Sequence, residues 1–236
     1  MGKYSVYLHK LYWNINEQGI SGSFRKLLYG FWRELFHGSE HLFYLDLSHI
    51  PDKELHIPHN VQIDTFIKKE DIPEQIMDSL KDFVRKKGMK EEFEEYYLEK
   101  ILNLYKHGAA MYVAKVDNKP AAYLWSITDK GNYTPYFSFF TLVPEDALLF
   151  GGVTLPPYRG KGLVPMLIRH GAYCSKKNGK KRVYATCKTW NISSFRCIVK
   201  AGLKEITIAR GVRVFGKRIA IWPKIGKRNQ WTDTTI

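Results

Sequence analysis

The hydrophobic and polar positions of the chain follow two periods, and each period predicts a different element. Short apolar blocks and apolar–polar alternation predict strands, whereas apolar residues three and four positions apart predict amphipathic helices. The predicted strands are His41–Leu47, Val61–Ile67, Met111–Val116, Ala121–Ile127, Tyr133–Leu142, Ala147–Leu155, Lys181–Lys188, Leu203–Val214 and Lys217–Trp222. The predicted helices are Ile72–Lys87, Glu91–His107, Gly162–Asn178 and a shorter one between Asn191 and Gly202.

The segment before residue 61 interrupts this pattern and is predicted to be an N-terminal extension with a linker. Its apolar residues between Ser21 and His37 have near-helical spacing. That spacing favours a helix packed on the main domain over one that lies on a membrane surface or closes over an active site. Two histidines in the Pro-rich linker, His56 and His59, are predicted to be surface residues, because a metal site needs further ligands. The predicted division is residues 1–60, 61–223 and a tail, 224–236.

Composition allows one well-buried core. The chain has 236 residues, of which 44% are hydrophobic and 14% aromatic. No apolar run approaches the roughly 18 residues that a membrane span needs, and no apolar segment near Met1 suggests a secretory signal. Three irregularly spaced cysteines, Cys174, Cys187 and Cys197, do not form a disulfide or zinc pattern. We therefore expect a cytoplasmic protein that binds no metal.

Positive charge is concentrated in the C-terminal part of the chain. From Leu155 onward there are 19 Lys and Arg against 2 Asp and Glu, whereas Met1 to Thr154 holds 18 against 21. A basic half attracts phosphorylated ligands and nucleic acids alike. The basic residues are scattered through predicted strands and helices, and no known nucleic-acid-binding motif is visible, so nucleic acid is disfavoured as a partner.

Residues Pro156–Gly162 join a predicted strand to a predicted helix and carry the clearest chemical signal. Gly160 and Gly162 can adopt the positive φ angles of a tight loop, and the helix behind them directs N–H groups and its positive dipole end into the turn. This arrangement predicts a phosphate site. It differs from a dinucleotide-binding loop, which has glycine where Pro165 stands, and from a P-loop, which has Ser or Thr where Gly162 stands.

This stretch resembles motif A of the GNAT superfamily of N-acetyltransferases, whose strand, loop and helix bind the pyrophosphate of acetyl-coenzyme A (acetyl-CoA). Downstream, residues 191–194 with Gly202-Leu203 resemble motif B of the same family. One departure is Pro157, where the family usually has Gln or Arg. The resemblance implies an α/β fold, with a mixed, mostly antiparallel central sheet flanked by helices and preceded by an N-terminal extension.

The resemblance also implies a set of site residues. Acetyl-CoA or another acyl-CoA would bind at Val153, Leu155, Arg159, Gly160, Lys161, Gly162, Leu163, Asn191 and Ser194. The Val153 N–H would meet the negative charge that develops on the thioester oxygen. Many family members have a catalytic tyrosine where Ile198 stands. Tyr184 and Glu145 are therefore candidate acids or bases, with Tyr123, Asp146 and Cys187 as further alternatives.

The implied function is transfer of an acetyl or other acyl group to the amine of a small molecule by direct attack in a ternary complex. An aminosugar, free or nucleotide-linked, is the favoured acceptor. Two alternatives stay open: a catalytically silent acyl-CoA-binding module, suggested by Ile198, and a protein-modifying or RNA-associated acetyltransferase, suggested by the basic half. Membrane contact by the extension and the oligomeric state are left open.

Overall fold

A computed structural model of the protein describes residues 39–50, 57–86, 98–99, 102–128, 142–214 and 217–221. Several predictions lie outside these residues. They are the helix between Ser21 and His37, most of the helix Glu91–His107, nearly all of the strand Tyr133–Leu142 and the tail 224–236.

Eight strands and three α-helices make up the described fold. The strands are β1 (Glu40–Asp46), β2 (Val61–Phe66), β3 (Ala109–Val116), β4 (Lys119–Ile127), β5 (Asp146–Thr154), β6 (Arg182–Lys188), β7 (Lys204–Val214) and β8 (Lys217–Ile221). The helices are α1 (Glu74–Lys86), α2 (Leu163–Lys177) and α3 (Ile192–Lys200). These elements agree with the predicted ranges to within two residues at each end.

The strands form one mixed sheet in the order β2-β3-β4-β5-β6-β1-β7-β8. Of the neighbouring pairs, only β5 and β6 are parallel, and the others are antiparallel. The predicted α/β class, with a mostly antiparallel central sheet flanked by helices, is confirmed.

Strand β1 comes from the predicted extension, yet it lies inside the sheet between β6 and β7. It pairs with β6 along its whole length, from Glu40 opposite Lys188 to Asp46 opposite Arg182. The physical reason is burial, because Leu42 and Phe43 are both fully buried on opposite faces of the sheet. The division at residue 60 stays a prediction about domain organisation, but the sheet itself begins with β1.

Both faces of the sheet are covered, and strand β3 shows how. Its residues Tyr112 and Ala114 pack in a core with Leu167 and Ala172 of α2. The alternate residues Met111 and Val113 pack on the other face in a second core, which holds Ile76 and Leu80 of α1. This period-2 alternation places the two helices on opposite sides of the sheet.

The parallel strands β5 and β6 are joined at one end only. Paired residues run from Asp146 opposite Arg182 to Leu149 opposite Ala185, and no further pairs follow. At the joined end the Asp146 carboxylate is fully buried and accepts a hydrogen bond from Arg182 Nε at 2.7 Å. It also accepts one from the Val143 N–H at 3.0 Å. The strands therefore leave a gap beyond Leu149 and Ala185.

Candidate cofactor pocket

The gap between β5 and β6 opens into a pocket of about 880 Å³. A bulge in β5 starts it, because the register with β4 shifts between Tyr123 and Trp125 and Gly151 has φ of +66°. A bulge of this kind needs a residue that tolerates the left-handed region, which favours glycine. The pocket continues along residues 150–154 of β5 on one side and past Ala185 and Thr186 of β6 on the other.

The register of β5 with β4 decides which backbone groups face this gap. The Leu155 N–H donates to Ala121 O at 2.9 Å, and Val153 stands opposite Tyr123 two residues back. Alternate residues of an antiparallel strand direct their polar groups to the same neighbour. The Val153 N–H therefore faces β4, while the N–H and C=O of Thr154 face the gap. This orientation disagrees with the prediction that Val153 donates to the substrate.

The loop after β5 closes one end of the pocket. Pro156–Tyr158 form a short 3-10 turn, and Gly160 and Gly162 follow with φ of +80° and +73°. Gly162 is the N-cap of α2 and supplies no side-chain cap, so the N–H groups of Leu163 and Val164 have no partner within the helix. The result is a helix N-terminus with free donors in the pocket wall, which is a favourable site for an anion.

Helix α3 supplies the opposite wall and two basic residues. Asn191 is its N-cap, with its Oδ1 accepting a hydrogen bond from the Ser194 N–H at 3.1 Å. Further along the same helix, Arg196 and Lys200, one turn apart, also line the pocket. A Cβ built on Gly162 would stand 3.9 Å from Lys200 Nζ, so this ammonium group lies beside the glycine loop. Backbone donors and cations thus converge on the same end of the pocket.

The sequence model of the Acetyltransferase (GNAT) family matches residues 74–203, which is more than half of the chain. The chain belongs to the GNAT acetyltransferase family. The match includes the whole of the glycine loop, α2 and α3. A search of curated proteins finds no match.

Several solved structures are similar in fold. A GNAT-family acetyltransferase from Colwellia psychrerythraea is 15% identical with a TM-score of 0.47 over 71% of this chain and 52% of its own. The chain therefore spans about half the length of that protein. The aminoglycoside 6′-N-acetyltransferase AAC(6′)-Ig from Acinetobacter haemolyticus is 19% identical with a TM-score of 0.48 over 67% and 99%. A predicted acetyltransferase with acetyl-CoA from Clostridium acetobutylicum is 11% identical with a TM-score of 0.44 over 62% and 91%.

Most residues that the GNAT resemblance singled out for the cofactor lie in one place. Val153, Arg159, Gly160, Gly162, Leu163, Asn191 and Ser194 all line the pocket. Two do not. The Leu155 side chain packs against the core on the α1 face, and Lys161 Nζ lies 5.5 Å from the centroid of the Tyr158 ring. The binding roles of all nine residues remain predictions.

The predicted acids and bases do not line the pocket. Tyr184 is 1% exposed and lies in a separate core, with its ring 5.6 Å from that of Tyr44. Glu145 precedes β5, and its carbonyl accepts from the Lys181 N–H at 2.8 Å at the joined end of the strands. The eight residues to Val153 span about 26 Å in an extended strand. Both positions argue against a direct role in catalysis at the pocket.

Two further candidate acids or bases, Tyr123 and Cys187, are engaged in hydrogen bonds within the fold. The Tyr123 hydroxyl donates to Ser79 Oγ at 2.5 Å, and burial raises the pKa of Tyr123 to about 12. Burial raises the pKa of the Cys187 thiol to about 12 as well, partly offset by a hydrogen bond with the Ser194 side chain. Ile198, at the position of the family tyrosine, is 4% exposed and lines the pocket. The Tyr123 hydroxyl and the Cys187 thiol therefore keep their protons at neutral pH.

Arg196, Lys200 and Thr154 were not singled out from the sequence. The signal for the first two was present, because they follow Ile192 at i+4 and i+8 in a predicted helix within the basic half. Thr154 could be assigned to the pocket only from the strand register.

Within the described parts of the chain, no three His, Cys, Asp or Glu side chains are close enough to hold a metal ion. Nor does any helix among these residues have the length and apolarity to cross a membrane.

Proposed function

We propose that the protein is an acetyl-CoA-dependent N-acyltransferase that transfers an acetyl, or another acyl, group to the amine of a small molecule. One observation carries the proposal. Two parallel strands separate where a glycine loop and a helix N-terminus meet, so that backbone donors, a cleft and basic side chains line one pocket. An elongated ligand that has phosphates at one end and amides along its length matches this order of groups.

The residues present fit acetyl-CoA in kind. The N–H groups of Leu163 and Val164 and the positive end of α2 would hold the pyrophosphate, because a helix N-terminus favours anions. Arg159, Arg196 and Lys200 would bind the phosphate charges. Gly162 has φ of +73°, a conformation that residues with a side chain rarely adopt, which is why glycine suits this position.

Bound acetyl-CoA supplies a thioester carbonyl that an amine can attack. Along the gap, the N–H and C=O of Thr154 are available to the amides of the pantetheine arm or to the charge developing on the carbonyl oxygen. We therefore assign the backbone N–H that stabilises this charge to Thr154 rather than to Val153. A backbone donor fixed in a strand is oriented before the substrate arrives, which favours stabilisation of developing charge.

Positioning supplies much of the rate in this proposal. Neither Tyr184 nor Glu145 lines the pocket, and Ile198 carries no proton donor. Holding an amine and a thioester in a reactive geometry contributes about 7–11 kcal/mol to lowering a barrier. The amine would attack directly, in a ternary complex. Residues 1–38, which are rich in aromatic and basic side chains, prompt the choice of a free or nucleotide-linked aminosugar as acceptor.

Two measurements test the proposal. Isothermal titration with acetyl-CoA and with CoA lacking the 3′-phosphate should show saturable binding of both, with weaker binding and a shallower salt dependence for the second. Release of free thiol should then follow addition of one member of a panel of amines that includes aminosugars. Absence of acetyl-CoA binding would refute the proposal.

Binding without turnover of any amine would instead favour the silent acyl-CoA-binding module, for which Ile198 is the supporting observation. The third alternative, an RNA-associated enzyme, predicts salt-dependent retardation of RNA in a gel by the full chain.

A further inference from the structure

The outer face of α3 combines exposed apolar side chains with basic ones. Ile192, Arg196 and Val199 follow the i, i+4, i+7 spacing of one helix face. Ile192 is 60% exposed and Val199 47% exposed, and Trp190, in the turn before the helix, is 47% exposed. Of the five large hydrophobic residues exposed in the described parts of the chain, three thus fall within ten consecutive positions. Clustered exposed apolar groups of this kind mark interaction sites.

The basic residues on this face lie in a stretch of the sequence that is free of acidic ones. The sequence has no Asp or Glu from Leu155 to Lys204. Arg169 of α2 reaches across to α3 and donates to Lys200 O at 2.6 Å, which places an exposed guanidinium group at the end of the same helix. Lys200 and Arg196 stand on α3 itself. A partner on this face would therefore be acidic and would also offer apolar contacts.

The face is continuous with the pocket. Ile192, Arg196 and Lys200 line the pocket mouth, whereas Trp190, Val199 and Arg169 stand outside it. The cations in the mouth already match the phosphates of a nucleotide. An adenine ring could cover only part of the exposed apolar surface, because Ile192 and Val199 are separated by about 10 Å along the helix axis and Trp190 lies before the helix. The full set of exposed apolar and basic side chains therefore matches a macromolecule that covers α3 and inserts a flexible arm into the pocket.

We propose that the outer α3 face (Trp190, Ile192, Arg196, Val199 and Lys200, with Arg169 beside it) docks an acidic carrier protein that delivers the acyl group on its own phosphopantetheine arm. This inference rests on the proposed function, because the arm would enter the pocket described for acetyl-CoA. The thioester C–S bond breaks, a C–N bond to the amine forms, and the carrier thiol leaves with the proton that the amine loses. No oxidant or further reactant is needed.

Binding to the full-length protein tests the inference without knowledge of the acceptor. The probes are a small acidic acyl carrier protein in its holo form, which bears phosphopantetheine, its apo form, which lacks the arm, and acetyl-CoA. We expect the holo form to bind, CoA to compete with it, and the apo form to bind at least tenfold more weakly.

Two matched variants place the contact on the face. Val199→Glu puts a negative charge on the outer α3 face outside the pocket and should weaken holo-carrier binding at least tenfold, with acetyl-CoA binding unchanged within twofold. Ile67→Glu makes the same kind of change at a residue that is 64% exposed after β2 and should alter neither affinity. If Val199→Glu lowers the melting temperature, Val199→Gln, which removes only the apolar contact, replaces it and should weaken the carrier alone.

The outcomes separate this inference from the proposed function. Binding of acetyl-CoA without binding of the holo carrier overturns the inference and leaves the function standing. Failure of both ligands to bind overturns both. Equal binding of apo and holo carrier, or displacement of the carrier by RNA or by anionic vesicles, overturns the inference in favour of a general polyanion surface. An unchanged carrier affinity in both Val199 variants overturns the assignment of the face.

Discussion

The two ends of the β5–β6 pair follow opposite designs. At the joined end, the fully buried Asp146 forms an ion pair with the partly exposed Arg182, and four residue pairs join the parallel strands. At the open end the same strands have no mutual pairs, and a bulge, a glycine loop and two helix N-termini surround the space. One end satisfies its polar groups internally, whereas the other presents them to a ligand.

The comparison shows how an open site can be held in a stable sheet. Residues Thr186 to Lys188 of β6 have no partner in β5, yet each is paired on its other side with Leu42, His41 or Glu40 of β1. The His41 ring also packs 4.9 Å from Phe195 of α3, which carries the basic wall. Strand β1 therefore holds in place two walls of the pocket, the unpaired part of β6 and helix α3.

The largest expected effect is at the joined end. Asp146→Ala would leave the Arg182 guanidinium beside a vacated carboxylate site and the Val143 N–H without its acceptor. Arg182 is 23% exposed and can be hydrated once its partner is gone, so we expect the free energy of unfolding in urea to fall by about 3 kcal/mol, from the loss of one charge-assisted hydrogen bond and from one backbone N–H left without its acceptor. As a control, Asp78→Ala breaks an exposed pair with Lys81 and should cost less than about 1 kcal/mol. Equal losses in the two variants would contradict the contrast.

At the open end, Gly162→Asp should remove cofactor binding rather than the fold. The substitution adds a negative group beside the loop and toward Lys200. We expect at least a ~100-fold loss in acetyl-CoA affinity, equivalent to about 2.7 kcal/mol, measured by isothermal titration. Gly179→Asp is the matched control, because Gly179 has φ of +74° and no atom within 4 Å of a built Cβ. It should show the same loss of stability with normal binding, and parallel losses of affinity would refute the site.

Asn191 tests whether its cap or its ligand role dominates. The amide Oδ1 accepts from the Ser194 N–H, so Asn191→Ala should lower the stability by about 1 kcal/mol, the usual cost of losing an N-cap. Asn191→Asp keeps the accepting oxygen and should melt like the parent while raising the KM for acetyl-CoA severalfold. A parental KM in the Asp variant would assign Asn191 to capping alone.

The smallest effect concerns two thiols near the gap. Burial raises the pKa of Cys187 and of Cys197, to about 12 for Cys187. A thiol reacts as its thiolate, so a raised pKa holds both in the slow form at neutral pH, and reactivity rises as pH approaches the pKa. Because Cys197 lines the pocket, we expect N-ethylmaleimide to modify it first and acetyl-CoA to slow that reaction severalfold. Mass spectrometry of the labelled peptides decides, and protection of Cys187 alone would contradict this geometry.

Local pattern predicted much of this arrangement. The periodicity of apolar residues located the described helices and strands, and two glycines after an apolar run located the loop. The local pattern did not predict which residues from distant segments lie close together in the folded protein. Glu145 is eight residues from Val153, but the spacing does not say that an extended strand carries the two to opposite ends. Tyr184 neighbours Ala185, which lines the pocket, yet alternate residues of β6 face opposite sides of the sheet.

The place of β1 was the hardest to predict, and it bears on how the protein is made. Its partners in β6 are synthesised more than 130 residues later. At about 5–20 residues per second, β1 would wait roughly 7–30 s for them. During that time Leu42 and Phe43, fully buried in the finished sheet, lack their native partners. Pairing between such distant segments slows folding, so these two apolar residues stay exposed on the nascent chain until the ribosome has delivered β6.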